Sequence, residues 1–104
     1  MKLLTKEIIK KLPPLYANDG KNPEDVPVVV KFFNPTGIGT WYITEYSPEE
    51  RIFYGLCCIH EAELGYVSQD ELEHFRGRFG LGIERDLYSG KMTLADAMKK
   101  EERR

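Results

Sequence analysis

Near the start of the chain, apolar residues recur at the spacing of an amphipathic helix. Leu4, Ile8 and Leu12 fall on one stripe with lysines on the opposite side, which predicts a helix over residues 5–12. Thr5 is the expected N-cap, because its side-chain oxygen can accept a backbone N–H of the first turn. A proline pair follows the last apolar position and is expected to end the helix.

The middle of the chain changes to the two-residue alternation of β-strands. Runs rich in β-branched and aromatic residues predict three strands, at residues 28–33, 40–46 and 51–59. Short turn sequences separate these runs, so we expect an antiparallel meander. In the second strand, alternation places Trp41, Ile43 and Glu45 on one face of the sheet. Tyr42 and Tyr46 are expected on the other face.

Two further helices are predicted in the second half of the chain by their N-terminal residues. Ser68 and Glu71 have the spacing of a capping box, so a helix is expected to begin at Ser68 and to run to about Arg76. Thr93, with an acid three residues later, is expected to cap a final helix that reaches the end of the sequence. Between the two helices, a glycine-rich connection leads to residues 84–88, which predict a short edge strand or an extended segment.

Together these elements predict one α+β domain over residues 1–104. The expected architecture is a small antiparallel meander sheet of three or four strands, packed with about three short helices. Strands with apolar residues on both faces need cover on both sides, and three short helices are enough for one cover. A second copy of the chain, docked on the open face as a homodimer, is one way to supply the other.

The composition is that of an ordinary soluble domain, with 41% hydrophobic and 31% charged residues in a chain of 104. No apolar run approaches the ~18 to 20 residues that a membrane span needs, and the charged start lacks the apolar core of a signal peptide. The cysteines, Cys57 and Cys58, are adjacent, which strains a disulfide between them and makes no metal framework. We therefore expect two reduced, buried thiols in a cytoplasmic protein that contacts no membrane and carries no cofactor.

Charge is distributed unevenly along the chain, although the formal net charge is only −2. Residues 1–44 carry a net +2, residues 45–73 a net −7 and residues 74–104 a net +3. The acidic middle predicts either a solvated acidic surface or an acidic face that docks on the basic surface of another protein. The low net charge argues against nucleic acid as a partner, because binding to phosphates without sequence preference needs an excess of positive charge.

Charged and aromatic residues of the central and C-terminal segments make up a candidate binding site. The candidates are Trp41, Glu45, Glu61, Glu63, Glu84, Arg85 and Asp86. Carboxylates beside a histidine, as at Glu61 and Glu63 after His60, can bind Mg²⁺ or Ca²⁺ or act as acid and base where they converge in space. Arg85 can hold a carboxylate or a phosphate, or form a structural ion pair with Glu45 or Glu63. No residue is assigned as catalytic and none as a metal ligand.

Aromatic residues on neighbouring strands suggest a different ligand, because single-stranded bases stack on exposed rings. The rings concerned are Trp41, Tyr42, Tyr46, Phe53 and Tyr54, with Arg76, Arg78 and Arg85 as the basic side chains. The other interpretation of the same rings is core and cross-strand packing, which the neighbouring acidic block favours.

A series of short motifs spans almost the whole chain. They are MKLLT at 1–5, LPPLY at 12–16, VVVKFF at 28–33, WYITE at 41–45, FYGL at 53–56, ELGY at 63–66 and IERDLY at 83–88. With these motifs the chain resembles an uncharacterised family of small bacterial proteins, known only as a domain of unknown function and typically carried on plasmids, integrative elements and phages. The resemblance implies a mobile-element setting and assigns no catalytic residue.

Small accessory proteins of mobile elements often act by binding host machinery, and the sequence contains no clear catalytic constellation. We therefore expect a non-enzymatic accessory protein that acts by protein–protein interaction through its acidic face, with inhibition of a host defence or nuclease complex as one form of that action. The expected partner is a host or element-encoded protein with a basic surface. The alternatives are a carboxylate-based metal-binding or hydrolytic domain, and a binder of single-stranded nucleic acid.

Overall fold

The structure is a computed structural model that describes residues 2–86 and 90–103. Its strands are β1 Val30–Phe33, β2 Thr40–Ser47, β3 Ile52–Cys58, β4 Ala62–Ser68 and β5 Glu84–Arg85. Its helices are α1 Lys6–Lys11, α2 Gln69–His74 and α3 Leu94–Glu102. Within the described residues, the strands form one antiparallel sheet in the order β4-β3-β2-β1-β5. The α+β prediction is confirmed, with five strands in place of three or four.

The strand that the sequence pattern misses is β4, the second arm of a hairpin with β3. It lies at the edge of the sheet, where the side chains do not need alternating burial. Leu64 and Tyr66 are accordingly 46% and 55% exposed. Glu63 and Gly65 weaken the pattern further, because acids and glycine are depleted from strands.

At the opposite edge, the predicted extended segment is confirmed at its start. Glu84–Arg85 forms β5, which pairs with β1, and the backbone N–H of Asp86 continues the contact by donating to the carbonyl of Lys31. Residues 87 and 88 of the predicted segment lie outside the described residues.

A β-bulge in β2 corrects the predicted facing of two side chains. The register with β3 shifts between Ile43 and Glu45, so one extra residue enters β2 at this point. From the bulge onward the alternation is reversed. Tyr46 therefore packs in the same cluster as Trp41, whereas Glu45 lies on the face that carries Tyr42. Simple alternation predicts the opposite assignment for Glu45 and Tyr46, and that prediction is wrong.

Both faces of the sheet carry a core, and each is covered by helices of the same chain. On the face of α1 and α2, the buried residues are Leu3, Leu12, Val30, Phe32, Trp41, Ile43, Tyr46, Phe53, Leu72 and Ile83. On the face of α3, they are Val26, Tyr42, Leu56, Cys58, Leu94 and Ala97. Over the central strands, the chain itself thus supplies the second cover, for which a homodimer was one possible source.

The predicted helix caps are confirmed, because they depend on local hydrogen bonds alone. The hydroxyls of Thr5, Ser68 and Thr93 each accept a backbone N–H from the first turn of α1, α2 and α3. The helix that begins after Ser68 ends at His74, one turn or less before the predicted position. Residue 104, which we expected in the last helix, lies outside the described residues. No helix within the described part of the chain is long and apolar enough to cross a membrane.

Candidate binding cleft

A cleft of about 760 Å³ lies on the α3 face, at the end of the sheet that holds the loops 34–39 and 59–61. Strand β5 and the end of α3 complete its walls. Among the described residues, its charged lining residues and its histidine are Lys31, His60, Glu61, Glu84, Arg85, Asp86 and Glu101. The fold therefore brings together four of the seven candidates: Glu61, Glu84, Arg85 and Asp86.

One wall of the cleft is formed by Lys31, the single charged residue of β1. Its side chain is buried, its Nζ lies 3.5 Å from Asp86 Oδ2, and the same atom lies 5.3 Å from the ring centroid of Tyr42. Burial lowers the pKa of Lys31 below its ordinary value of 10.5, as does the neighbouring Lys100, and Asp86 opposes the shift. The charge of Lys31 is thus balanced inside the protein by Asp86 and by the ring.

A tyrosine hydroxyl ties α3 to this wall. The ring of Tyr42 is fully buried, and its hydroxyl donates to Glu101 Oε2 at 2.6 Å. Because the hydrogen bond joins β2 to the last turn of α3, it fixes the position of the Glu101 carboxylate at the cleft.

Arg85 holds backbone groups of the protein itself. Its Nη1 donates to the backbone carbonyls of Lys2 at 2.7 Å and Leu3 at 3.1 Å, and so holds the N-terminal segment against the sheet. The expected ion pair with Glu45 or Glu63 is absent from the described residues, since backbone oxygens take that place.

The cleft has an excess of negative charge. Among the described residues, four carboxylates line it, from Glu61, Glu84, Asp86 and Glu101, against the two lining cations Lys31 and Arg85, with Lys100 as a further cation beside Lys31. Within residues 2–86 and 90–103, the side chains of Glu61 and Glu84 have no hydrogen bond or ion pair. Because both lining cations are already engaged by groups of the protein, the cleft presents a negative potential to a ligand.

The remaining three candidates do not join the cleft. Trp41 is 7% exposed and belongs to the core on the other face. Glu63 lies on β4, whereas Arg85 lies on β5, at the opposite edge of the sheet. Four strand spacings of about 4.8 Å separate these edges by roughly 19 Å. The convergence of Trp41, Glu45, Glu63 and Arg85 on one patch is therefore not found.

Glu45 has a structural task. It is 3% exposed, and its carboxylate accepts the backbone N–H of Tyr16 at 2.7 Å and that of Asn18 at 3.1 Å. The β-bulge turns Glu45 toward this loop. The carboxylate therefore anchors residues 16–18 to the sheet and is not available to an external ligand.

The acidic middle of the sequence does not form one continuous face. Glu45 is buried, and Arg51 neutralises part of α2 through Asp70 and Glu73, each at 2.8 Å from its Nη2. The rest of the block divides between the two ends of the β3–β4 hairpin, with Glu61 and Glu63 at the cleft end.

The aromatic and cysteine residues also occupy the core in large part. Trp41, Tyr42, Tyr46 and Phe53 are all buried, so these four rings are not free to stack on bases. Cys57 and Cys58 are free thiols on opposite faces of β3, as alternation requires. Cys58 is buried and Cys57 only half-buried, and burial raises the pKa of the Cys57 thiol, which keeps it a weak nucleophile.

The described part of the chain contains no cluster of side chains that could bind a metal ion. No three side chains of histidine, cysteine, aspartate or glutamate lie close enough there to hold an ion. In the cleft, Lys31 forms an ion pair with Asp86 and the Tyr42 hydroxyl donates to Glu101, so these two carboxylates already have partners within the protein.

Sequence analysis does not assign Lys31, Tyr42 or Glu101 to this site, although Lys31 and Glu101 line the cleft and the hydroxyl of Tyr42 donates to Glu101. They come from β1, β2 and α3, and only the tertiary fold brings them together. The one local signal is Lys31 itself, a lone charge in an otherwise apolar strand with aromatic and β-branched neighbours.

The fold and the cleft define a small α+β domain with an acidic concave site at one end of an antiparallel sheet. The chain belongs to the family described as protein of unknown function (DUF2958), whose model matches residues 3–103. The resemblance to an uncharacterised family is thereby confirmed. No curated protein and no solved structure matches the chain.

Proposed function

We propose that the protein is a non-enzymatic binding protein whose acidic cleft receives a lysine or arginine side chain of a protein partner. The observation that carries this proposal is the charge of the cleft, in which Glu61 and Glu84 have no partner among the described residues while Lys31 is held by Asp86. A cationic side chain that enters the cleft gains hydrogen-bonding carboxylates and displaces no internal ion pair.

The family resemblance suggests the setting of this binding. We propose a cytoplasmic accessory protein of a mobile genetic element that inhibits a host defence or nuclease complex. Proteins that handle nucleic acids present basic surfaces to phosphate. An acidic cleft on a small rigid domain is complementary to such a surface, and occupying it would block the nucleic acid.

The experiment compares partner capture by matched charge variants. Wild-type protein, Glu61→Gln/Glu84→Gln and Glu7→Gln/Glu24→Gln are immobilised, and proteins captured from a bacterial lysate are identified by mass spectrometry. The third protein is the control, because it loses the same charge from exposed positions outside the cleft. We expect the wild type and the control to capture the same basic protein, and the cleft variant to retain at least about fivefold less of it.

Salt supplies the second readout. The captured partner should be released as ionic strength rises from about 0.05 to about 0.3 M, because screening weakens contacts between exposed charges. Equal capture by all three proteins, or capture that salt does not affect, would contradict the proposal. Far-UV circular dichroism confirms that each variant is folded.

A further inference from the structure

Strand β4 leaves one edge of the sheet unpaired within the described residues. It runs over Ala62–Ser68, pairs on one side with β3, and has no strand from the described part of the chain on the other side. An edge strand exposes a row of backbone N–H and C=O groups that can pair with another chain, and natural proteins usually guard it with proline, lysine or a bulge. Its seven residues, AELGYVS, contain neither proline nor lysine, and its register with β3 is continuous.

A groove of about 460 Å³, lined by apolar and acidic side chains, lies at the turn end of the β3–β4 hairpin and along the first part of this edge. Ile59, Leu64 and Tyr66 line it and are 51%, 46% and 55% exposed. At Gly65, in the middle of the strand, even an added Cβ would meet no atom within 4 Å. The edge thus combines free backbone groups with open space for side chains, which are the two requirements of strand addition.

The charges around the edge decide which occupant fits. Glu61 and Glu63 lie at one end of β4, and Glu71 follows the other end, next to Asp70, whose charge is paired with Arg51. A second copy paired antiparallel about Gly65 would bring the acids of one end close to those of the other end in its partner. Such like charges oppose self-association, whereas a strand with basic ends meets opposite charge at both.

We propose that the β4 edge accepts an extended segment of the partner protein by β-strand addition, with an apolar centre and lysine or arginine at both ends. The inference rests on the proposed function, since it takes the basic partner from there and specifies how it docks. Glu61 lines both the cleft and the groove, so a basic residue leaving the added strand at this end lies beside the cleft.

The probe is a synthetic peptide of about nine residues, with alternating valine and threonine in the centre and lysines at both ends. Binding to the full chain is measured at low salt by titration, and hydrogen exchange of the β4 amides is followed by NMR. Two further peptides carry N-methyl groups on alternate amides, one on each edge of the strand. We expect the parent peptide to protect β4 amides, and only one of the two methylated peptides to bind.

Matched variants test the surface itself. Leu64→Lys places a charge on the edge, and Ile9→Lys makes the same change at a similarly exposed apolar residue of α1. Leu64→Lys should weaken peptide binding at least about tenfold, while Ile9→Lys leaves it unchanged. Equal binding of both methylated peptides, protection outside residues 62–68, or no binding of the parent peptide would overturn the inference.

Two outcomes separate this inference from the function on which it rests. If the peptide fails but Glu61→Gln/Glu84→Gln still loses the captured partner, strand addition is wrong and binding at the cleft stands. If the β4 amides are protected without peptide, increasingly with protein concentration, the occupant is a second copy and the basic segment is wrong.

Discussion

Replacing Glu45 by alanine removes a buried anchor, not a binding residue. The carboxylate accepts two backbone N–H groups, from Tyr16 and Asn18, and is 3% exposed. Hydrogen bonds to a charged group contribute about 1.5–3 kcal/mol each. The loop can recover part of this by exposing its N–H groups to water, so we expect Glu45→Ala to lower the free energy of unfolding by about 2–4 kcal/mol. For a domain stable by about 5–15 kcal/mol this is a large fraction.

Urea unfolding provides the measurement, followed by the fluorescence of Trp41, the sole tryptophan, which is buried in the core. Glu50→Ala is the control, because Glu50 is exposed in the β2–β3 turn and its carboxylate has no partner among the described residues. The control should change stability by less than about 0.5 kcal/mol. Glu45→Gln keeps one acceptor oxygen and should fall between the two.

Two results would refute this reasoning about Glu45. One is a Glu45→Ala protein as stable as Glu50→Ala, which would mean that the two hydrogen bonds contribute nothing net. The other is a Glu45→Ala protein that is fully folded but no longer captures the partner retained by the wild type. In that case Glu45 would contact the partner, as the sequence pattern alone suggests.

Two further predictions concern the sheet and the last helix. A Cβ at Gly55 would lie 1.9 Å from the backbone oxygen of Tyr42, so Gly55→Ala should lower the free energy of unfolding in urea by about 3 kcal/mol. Gly65→Ala adds a Cβ in open space on the paired strand and should lower it far less. Equal losses would contradict the steric reason. The N–H and hydroxyl of Thr93 hold the pKa of Asp96 below its ordinary value of 3.8. The Asp96 carboxylate therefore stabilises the folded state fully above pH 3.8, and this contribution is lost as pH falls through the lowered pKa. Acid unfolding of Asp96→Asn should therefore depend less steeply on pH than that of wild type, and identical profiles would show that the capping carboxylate contributes nothing.

The sequence correctly predicted those features of the fold that depend only on residues close together in the chain. The caps at Thr5, Ser68 and Thr93 follow from a side chain and an amide three residues apart, and all three are present. The bulge in β2 carries no glycine or proline signal, since it interrupts a run of β-branched and aromatic residues near Thr44. The bulge changes the set of candidate binding residues, because it directs the Glu45 carboxylate to the backbone N–H groups of Tyr16 and Asn18.

The cleft could be predicted only in part for a topological reason. Glu84 and Asp86 share a face of an extended segment, which alternation predicts, and the structure pairs Asp86 with Lys31 on that side. That Glu61 and Glu101 reach the same place depends on a sheet order in which β5 returns to pair with β1. No spacing in the sequence encodes this crossover, so the cleft emerges only in three dimensions.

The distribution of charge also indicates where the proposed partner would bind. The net −7 of residues 45–73 suggests one acidic face, but the fold buries Glu45 and neutralises part of α2 through Arg51. The cleft draws most of its negative charge from outside that block, from Glu84, Asp86 and Glu101. Glu61 is the member of the block that lines the cleft, and it also lies at the end of the unpaired β4 edge. A partner that recognises both features must therefore approach this end of the sheet, with its basic groups spaced by the geometry of a strand.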